Sequence, residues 1–141
     1  MSEKKRVGIN TTRDQWEYVF SPEAQAELAG LVDLDAQTIP RAGNEEEYLR
    51  SVAGAEIIVS TWGAHEIAER LLETCPDLRL VVHAAGSVKG FVTEALLARD
   101  IRVCSAVHLN AQAVAEFTLG LILMALKQVF FHNRNLHDHG P

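Results

Sequence analysis

Five short β-branched runs, each followed by a stretch with helical character, restrict this chain more than any other feature. The runs are Arg6–Asn10, Val32–Gln37, Ala55–Ser60, Leu78–His83 and Ile101–Ser105. Between them, Ser21-Pro22-Glu23 starts a helix with an N-cap serine, a proline at the first helical position and an acid in the positive first turn; Gly30 is expected to end it. Asn44 caps a second helix reaching Gly54. The stretch His65–Cys75 carries Ile67, Leu71 and Leu72 at helical spacing before Pro76, and Val92–Arg99 reads as a fourth helix. Thr11–Tyr18 reads as a loop.

Strand and helix alternating in this way argue for βαβ units with right-handed crossovers, and the unbroken apolar centre of Ile57-Ile58-Val59 suits a strand buried on both faces. The economical architecture is a flavodoxin-like, doubly wound, five-stranded parallel sheet in the order 2-1-3-4-5. That order gathers the loops after strands 1, 3 and 4 at the carboxyl edge, around the switch point. They are Asn10–Tyr18, Thr61–Gly63 and Ala84–Lys89.

Beyond the fifth strand, Asn110 is expected to cap one long helix running to about His132, roughly 33 Å at 1.5 Å per residue. Val114, Phe117, Leu119, Leu121, Ile122 and Leu123 put apolar side chains on nearly every face, so the helix calls for a cover that this sequence does not contain. The expected division is a substrate-binding domain over 1–108 and an interdomain helix with its tail over 109–141.

Several function classes are disfavoured. A formal charge of −6 with scattered Lys and Arg repels a nucleic-acid backbone. Met1–Arg6 leads into a strand without the apolar core of a signal peptide, and Glu116, Lys127 and Gln128 interrupt the one stretch that approaches membrane length, Ala111–Phe131. The expectation is a cytoplasmic protein without nucleic-acid or membrane partners, with Cys75 and Cys104 as buried, reduced thiols. No G-x-G-x-x-G and no G-x-x-x-x-G-K-[ST] occurs, and the six histidines show no metal-ligand spacing. A response-regulator receiver would need acids where Asn10, Thr11 and Ser60 stand.

What remains is the glycine loop Ala84-Ala85-Gly86-Ser87-Val88-Lys89-Gly90. A strand that ends in small residues leaves backbone N–H groups for an anionic ligand. His83, at the end of the fourth strand, is either a ligand contact or a strand-end structural group. Lys89 either attracts a carboxylate or phosphate or is a solvated loop lysine, and Trp62 either covers a small ligand or plugs the sheet edge.

Leu72–Arg79, Ala98–Val103 and above all Asn110-Ala111-Gln112-Ala113-Val114-Ala115-Glu116-Phe117-Thr118-Leu119 resemble the D-isomer-specific 2-hydroxyacid dehydrogenases. The resemblance implies a flavodoxin-like substrate domain followed by a helix leading into a Rossmann domain that binds NAD or NADP. It implies hydride transfer between that cofactor and a D-2-hydroxy acid or 2-oxo acid. Where the family reads Arg-Ala-Gly-x-Gly-x-Asp-Asn, this chain reads His83-Ala84-Ala85-Gly86-Ser87-Val88-Lys89-Gly90. The family's backbone grip on the substrate carboxylate carries over to Ala85, Gly86, Ser87 and Val88. A lysine near this loop is similar to the anion-binding lysine of the phosphite-oxidising branch.

Val114 matches a position that abuts the nicotinamide in relatives. The family's catalytic Arg, Glu and His have no counterpart here, so these 141 residues are expected to be inactive alone and to bind no metal. The resemblance implies dimers formed largely through the cofactor domain with this helix nearby, and the uncovered apolar helix is expected to make this chain a homodimer through 110–131 or to swap between copies. The alternative is a stand-alone anion-binding or regulatory α/β module without catalysis.

Overall fold

The structure, a computed structural model, describes residues 4–41 and 44–140; Met1, Ser2 and Glu3 of the N-terminal stretch lie outside them. Strand β1 is Arg6–Asn10, β2 Asp33–Leu34, β3 Ile57–Ser60, β4 Leu80–His83 and β5 Arg102–Ser105. They form one five-stranded parallel sheet in the order β2-β1-β3-β4-β5, the expected flavodoxin-like arrangement. The helices are α1 (Arg13–Val19), α2 (Pro22–Leu31), α3 (Glu45–Val52), α4 (Glu69–Thr74), α5 (Glu94–Leu97), α6 (Val107–Leu126) and α7 (Val129–His139).

Alternation along the strands sends neighbouring residues to opposite faces. Ile58 and Val81 join Leu49 and Val52 of α3, Leu71 and Leu72 of α4 and Leu96 of α5 in one core. Val7, Ile9 and Val59 join Trp16 of α1 on the other face, with Phe20 and Leu28 packed against them. Gly8 lies where β1 meets α3: a Cβ there would come 2.6 Å from Val52 Cα and 3.0 Å from Ser51 O. The strand therefore needs glycine for close backbone approach, not for a turn.

Local hydrogen bonds explain where the elements depart from expectation. Thr11–Tyr18 is not a loop throughout, because Thr12 caps α1 by accepting from the Gln15 N–H. α2 passes through Gly30 and ends at Leu31. The second strand stops after Leu34, because Asp35 accepts the Gln37 N–H and starts a 3-10 turn at Ala36–Thr38. The stretch from His65 is not helical before Glu69. Asn10 holds both the N–H and the C=O of His65, at 3.0 and 2.9 Å, and Ile67 N–H donates to Phe91 O.

The described residues up to Ala106 form one compact unit and those from Val107 onward a second. In the second, α6 begins at Val107, so Asn110 lies inside it and is not its cap. The single long helix is instead two, separated where Gln128 takes a left-handed φ of 54°. Neither Lys127 nor Gln128 is a helix breaker by type, and nothing in the sequence marks the break. α6 is long and apolar enough to cross a membrane by length and composition, and none of that stretch is buried. Cys75 is buried, whereas Cys104 is exposed on β5, which lies at the edge of the sheet and lacks a neighbour on one side.

Candidate functional site

The strand order brings the ends of β1, β3 and β4 side by side, with Asn10 opposite Ser60 and Ser60 opposite His83. A layer of buried polar groups lies there: Asn10, Thr11, Ser60 and Thr61 are fully buried and His83 is 4% exposed. Buried polar atoms are stable only when paired, and these are. The Thr11 and Thr61 hydroxyls share a hydrogen bond at 2.6 Å, and Ser60 Oγ lies 3.0 Å from His83 Nδ1. Asn10 makes the two bonds to His65 described above.

His83 is thus tied into the sheet end on its Nδ1 side, and its ring lies against Phe91 with centroids 4.8 Å apart. Burial lowers its pKa below the ordinary histidine value and favours the neutral ring. Of the two roles open to it, the strand-end structural one is present.

Beyond His83 the chain turns through the glycine loop. Its start is anchored by Ala84 N–H to Ser60 O at 2.8 Å, and the carbonyls of His83 and Ala85 both accept from Ala106 N–H, at 3.0 and 3.1 Å. Its end is a turn in which the Phe91 and Val92 N–H groups donate to Val88 O. Between these anchors the N–H groups of Ala85, Gly86, Ser87 and Val88 donate no hydrogen bond among the described residues.

Ala85 and Gly86 are buried, so bare amides there cost free energy unless something outside the loop accepts from them. Ser87 is exposed and its hydroxyl accepts weakly from Lys89 N–H, at 3.4 Å. Lys89 is exposed and has no ion pair among the described residues. Four free donors with a cation beside them suit a small carboxylate or phosphate by charge and by hydrogen bonding.

The neighbouring loop after β3 carries Trp62, which is 47% exposed and so does not plug the sheet edge. Its backbone is pinned: Trp62 O lies 3.1 Å from Thr11 Oγ1 and 3.3 Å from Thr61 Oγ1, and Gly63 O accepts from Tyr48 Oη at 2.9 Å. Reading the chain alone missed Tyr18, whose ring stands 6.4 Å from that of Trp62. The overlooked signal was Thr12 followed three residues on by Gln15, a helix-start pattern that places Tyr18 on a helix.

Val114 lies on α6 and is 56% exposed. The turn from β1 into α1 does not suit a dinucleotide, because Thr11, Thr12 and Arg13 occupy it and the Thr12 hydroxyl caps the helix that a pyrophosphate would approach. No group of metal-ligating side chains occurs among the described residues. A cavity of about 330 Å³ is lined by Ile39, Pro40, Arg41 and Arg50 among others, and by no residue of the glycine loop.

Among solved structures, the crystal structure of the PH0520 protein from Pyrococcus horikoshii OT3 is similar to this chain with a TM-score of 0.71 and 24% identity. The match covers 97% of this chain and 38% of that one, so the chain spans well under half of that protein's length, and at this identity the likeness is one of fold. No curated protein matches the chain significantly. Residues 17–135 match the model of the D-isomer specific 2-hydroxyacid dehydrogenase catalytic domain. A match over most of the chain, on a sheet of the expected order, places the protein in the D-isomer-specific 2-hydroxyacid dehydrogenase family.

Proposed function

We propose that these residues form the substrate-binding part of an oxidoreductase that transfers hydride between NAD or NADP and a D-2-hydroxy acid or its 2-oxo acid. The observation that carries this reading is the set of amides at Ala85, Gly86, Ser87 and Val88 that find no acceptor among the described residues, within the matched region. Fixed donors of this kind hold a carboxylate in one orientation without reorganising. Lys89 adds Coulomb attraction from the rim, weakened by its exposure to solvent. His83, neutral and bonded to Ser60, stiffens the strand end from which the loop springs.

The β1–α1 turn argues that the cofactor is held by residues outside these 141. This chain's share of the work is to seat the carboxylate and exclude water beneath it. Val114, on an apolar exposed face of α6, is the one position assigned to the cofactor side. Pairing of two copies through 110–131 belongs to the same proposal.

Titration of the protein with pyruvate, followed through backbone amide resonances, tests the reading. Saturable shifts are expected at Ala85–Lys89. Shifts spread over the surface, or none at millimolar pyruvate, would sink it.

A further inference from the structure

Two aromatic side chains are exposed at the loop that follows β3. Trp62 is 47% and Tyr18 80% exposed, whereas Trp16 and Tyr48 are almost fully buried. The exposed pair has centroids 6.4 Å apart and planes inclined at 54°. Asn10 and Tyr48, with one hydroxyl of the hydrogen-bonded Thr11–Thr61 pair, hold the backbone of the Trp62–His65 loop, and Asn10, Thr11 and Thr61 are fully buried. The fold thus commits buried hydrogen bonds to fixing the backbone that presents an exposed indole. An aromatic whose only task was to close the core would be buried instead.

Position gives this surface its meaning. Ser60 pairs with His83 in the β3–β4 register, so the loop that carries Trp62 and the loop that begins at Ala84 leave neighbouring strand ends. Neighbouring strands are about 4.8 Å apart. A carboxylate on the Ala85–Val88 amides would therefore lie one loop over from the loop that presents the aromatic pair. Offset or edge-on packing of a third ring against such a pair is favourable at centroid distances of about 4.5–7 Å.

We infer that Tyr18 and Trp62 form a side-chain subsite, and that the substrate is a 2-oxo or 2-hydroxy acid whose third carbon bears an aromatic or branched apolar group. The inference rests on the carboxylate seat proposed above and adds the class of substrate. Tyr18 and Trp62 set the preference; they touch no reacting atom.

The test uses the complete enzyme, including the residues that hold its cofactor, and compares kcat/KM for phenylpyruvate and for pyruvate. Phenylpyruvate is expected to be favoured by at least about tenfold, the scale on which an apolar pocket discriminates. Trp62→Ala and Tyr18→Ala should each lower the phenylpyruvate value about tenfold more than the pyruvate value, and Trp62→Phe should recover most of the preference. A preference for pyruvate, or an equal fall for both acids, overturns the subsite while leaving the carboxylate seat standing. No turnover of either acid, with Ala85–Lys89 amides that ignore pyruvate, removes both.

Discussion

At the residue scale, the Ser60–His83 pair shows how the sheet end is held. Ser60→Ala would leave the nearly buried His83 Nδ1 without its partner and should cost about 1–2 kcal/mol, read as a lower urea midpoint. The same histidine gives stability a pH dependence. Burial depresses its folded pKa, so the unfolded chain takes up a proton first as pH falls. Its contribution is therefore complete above the unfolded value, near 6.5, and is lost as pH falls from there through the depressed folded value. Urea unfolding at pH 7.5 and 5.5 should show a larger drop for the native protein than for His83→Asn; an equal drop would mean that other histidines account for it. Gly8 makes a sharper case. Gly8→Ala drives a methyl into Val52 Cα at 2.6 Å and should destabilise by at least about 2 kcal/mol, since backbone cannot swing aside as a side chain can.

At the element scale, Gly30 is the counterpart of Gly8. It lies inside α2 with nothing within 4 Å of the place a Cβ would occupy, so Gly30→Ala should stabilise by about 0.5–1 kcal/mol, measured as a raised urea midpoint. A loss would mean that α2 is not helical through its last turn. The contrast between these two glycines also shows what the chain discloses and what it hides. Sheet order was legible, because β-branched runs and alternating helices leave few parallel topologies open. Element ends were less so, because they depend on partners distant in sequence: Asn10 takes the backbone of His65, 55 residues away, and so delays α4. The glycine loop was legible as a candidate because small residues after a buried strand are a local signal. Trp62 was legible as a candidate, but Tyr18 was not, because α1 was read as loop and an exposed tyrosine carries no periodicity. Asn10, Thr11 and Ser60 looked like missing acids; the actual work of Asn10 and Thr11, pinning the loop after β3, and of Ser60, holding His83, is visible only in three dimensions.

At the scale of the whole molecule, α6 is the least settled part of the surface. Phe117, Leu119, Leu121, Ile122, Leu123 and Leu126 are each between 40% and 73% exposed, a density of apolar side chains that an isolated soluble chain rarely leaves in water. Burying such a face against its own copy would release water at about 25 cal/mol per Å², and an interface of roughly 1,600 Å² is of the size that stable pairs use. The 141-residue chain is therefore expected to self-associate through 110–131 and to sediment as a dimer at tens of micromolar. Phe117 and Ile122 are five residues apart and so point about 140° away from each other around the helix. Phe117→Lys with Ile122→Lys places charge on two faces at once, so pairing through either face should weaken, and the double variant should sediment as a monomer with its helical circular dichroism retained. A native chain that is a clean monomer at that concentration would show that α6 does not pair with its own copy. The same preparation, given NADH and phenylpyruvate or pyruvate, should show no turnover at an enzymatic rate, because a seat for the carboxylate holds a substrate without aligning the NADH against it or supplying the proton that the reduced oxygen takes up. Turnover by these residues alone would move the whole active site into this chain and overturn the proposed division of labour.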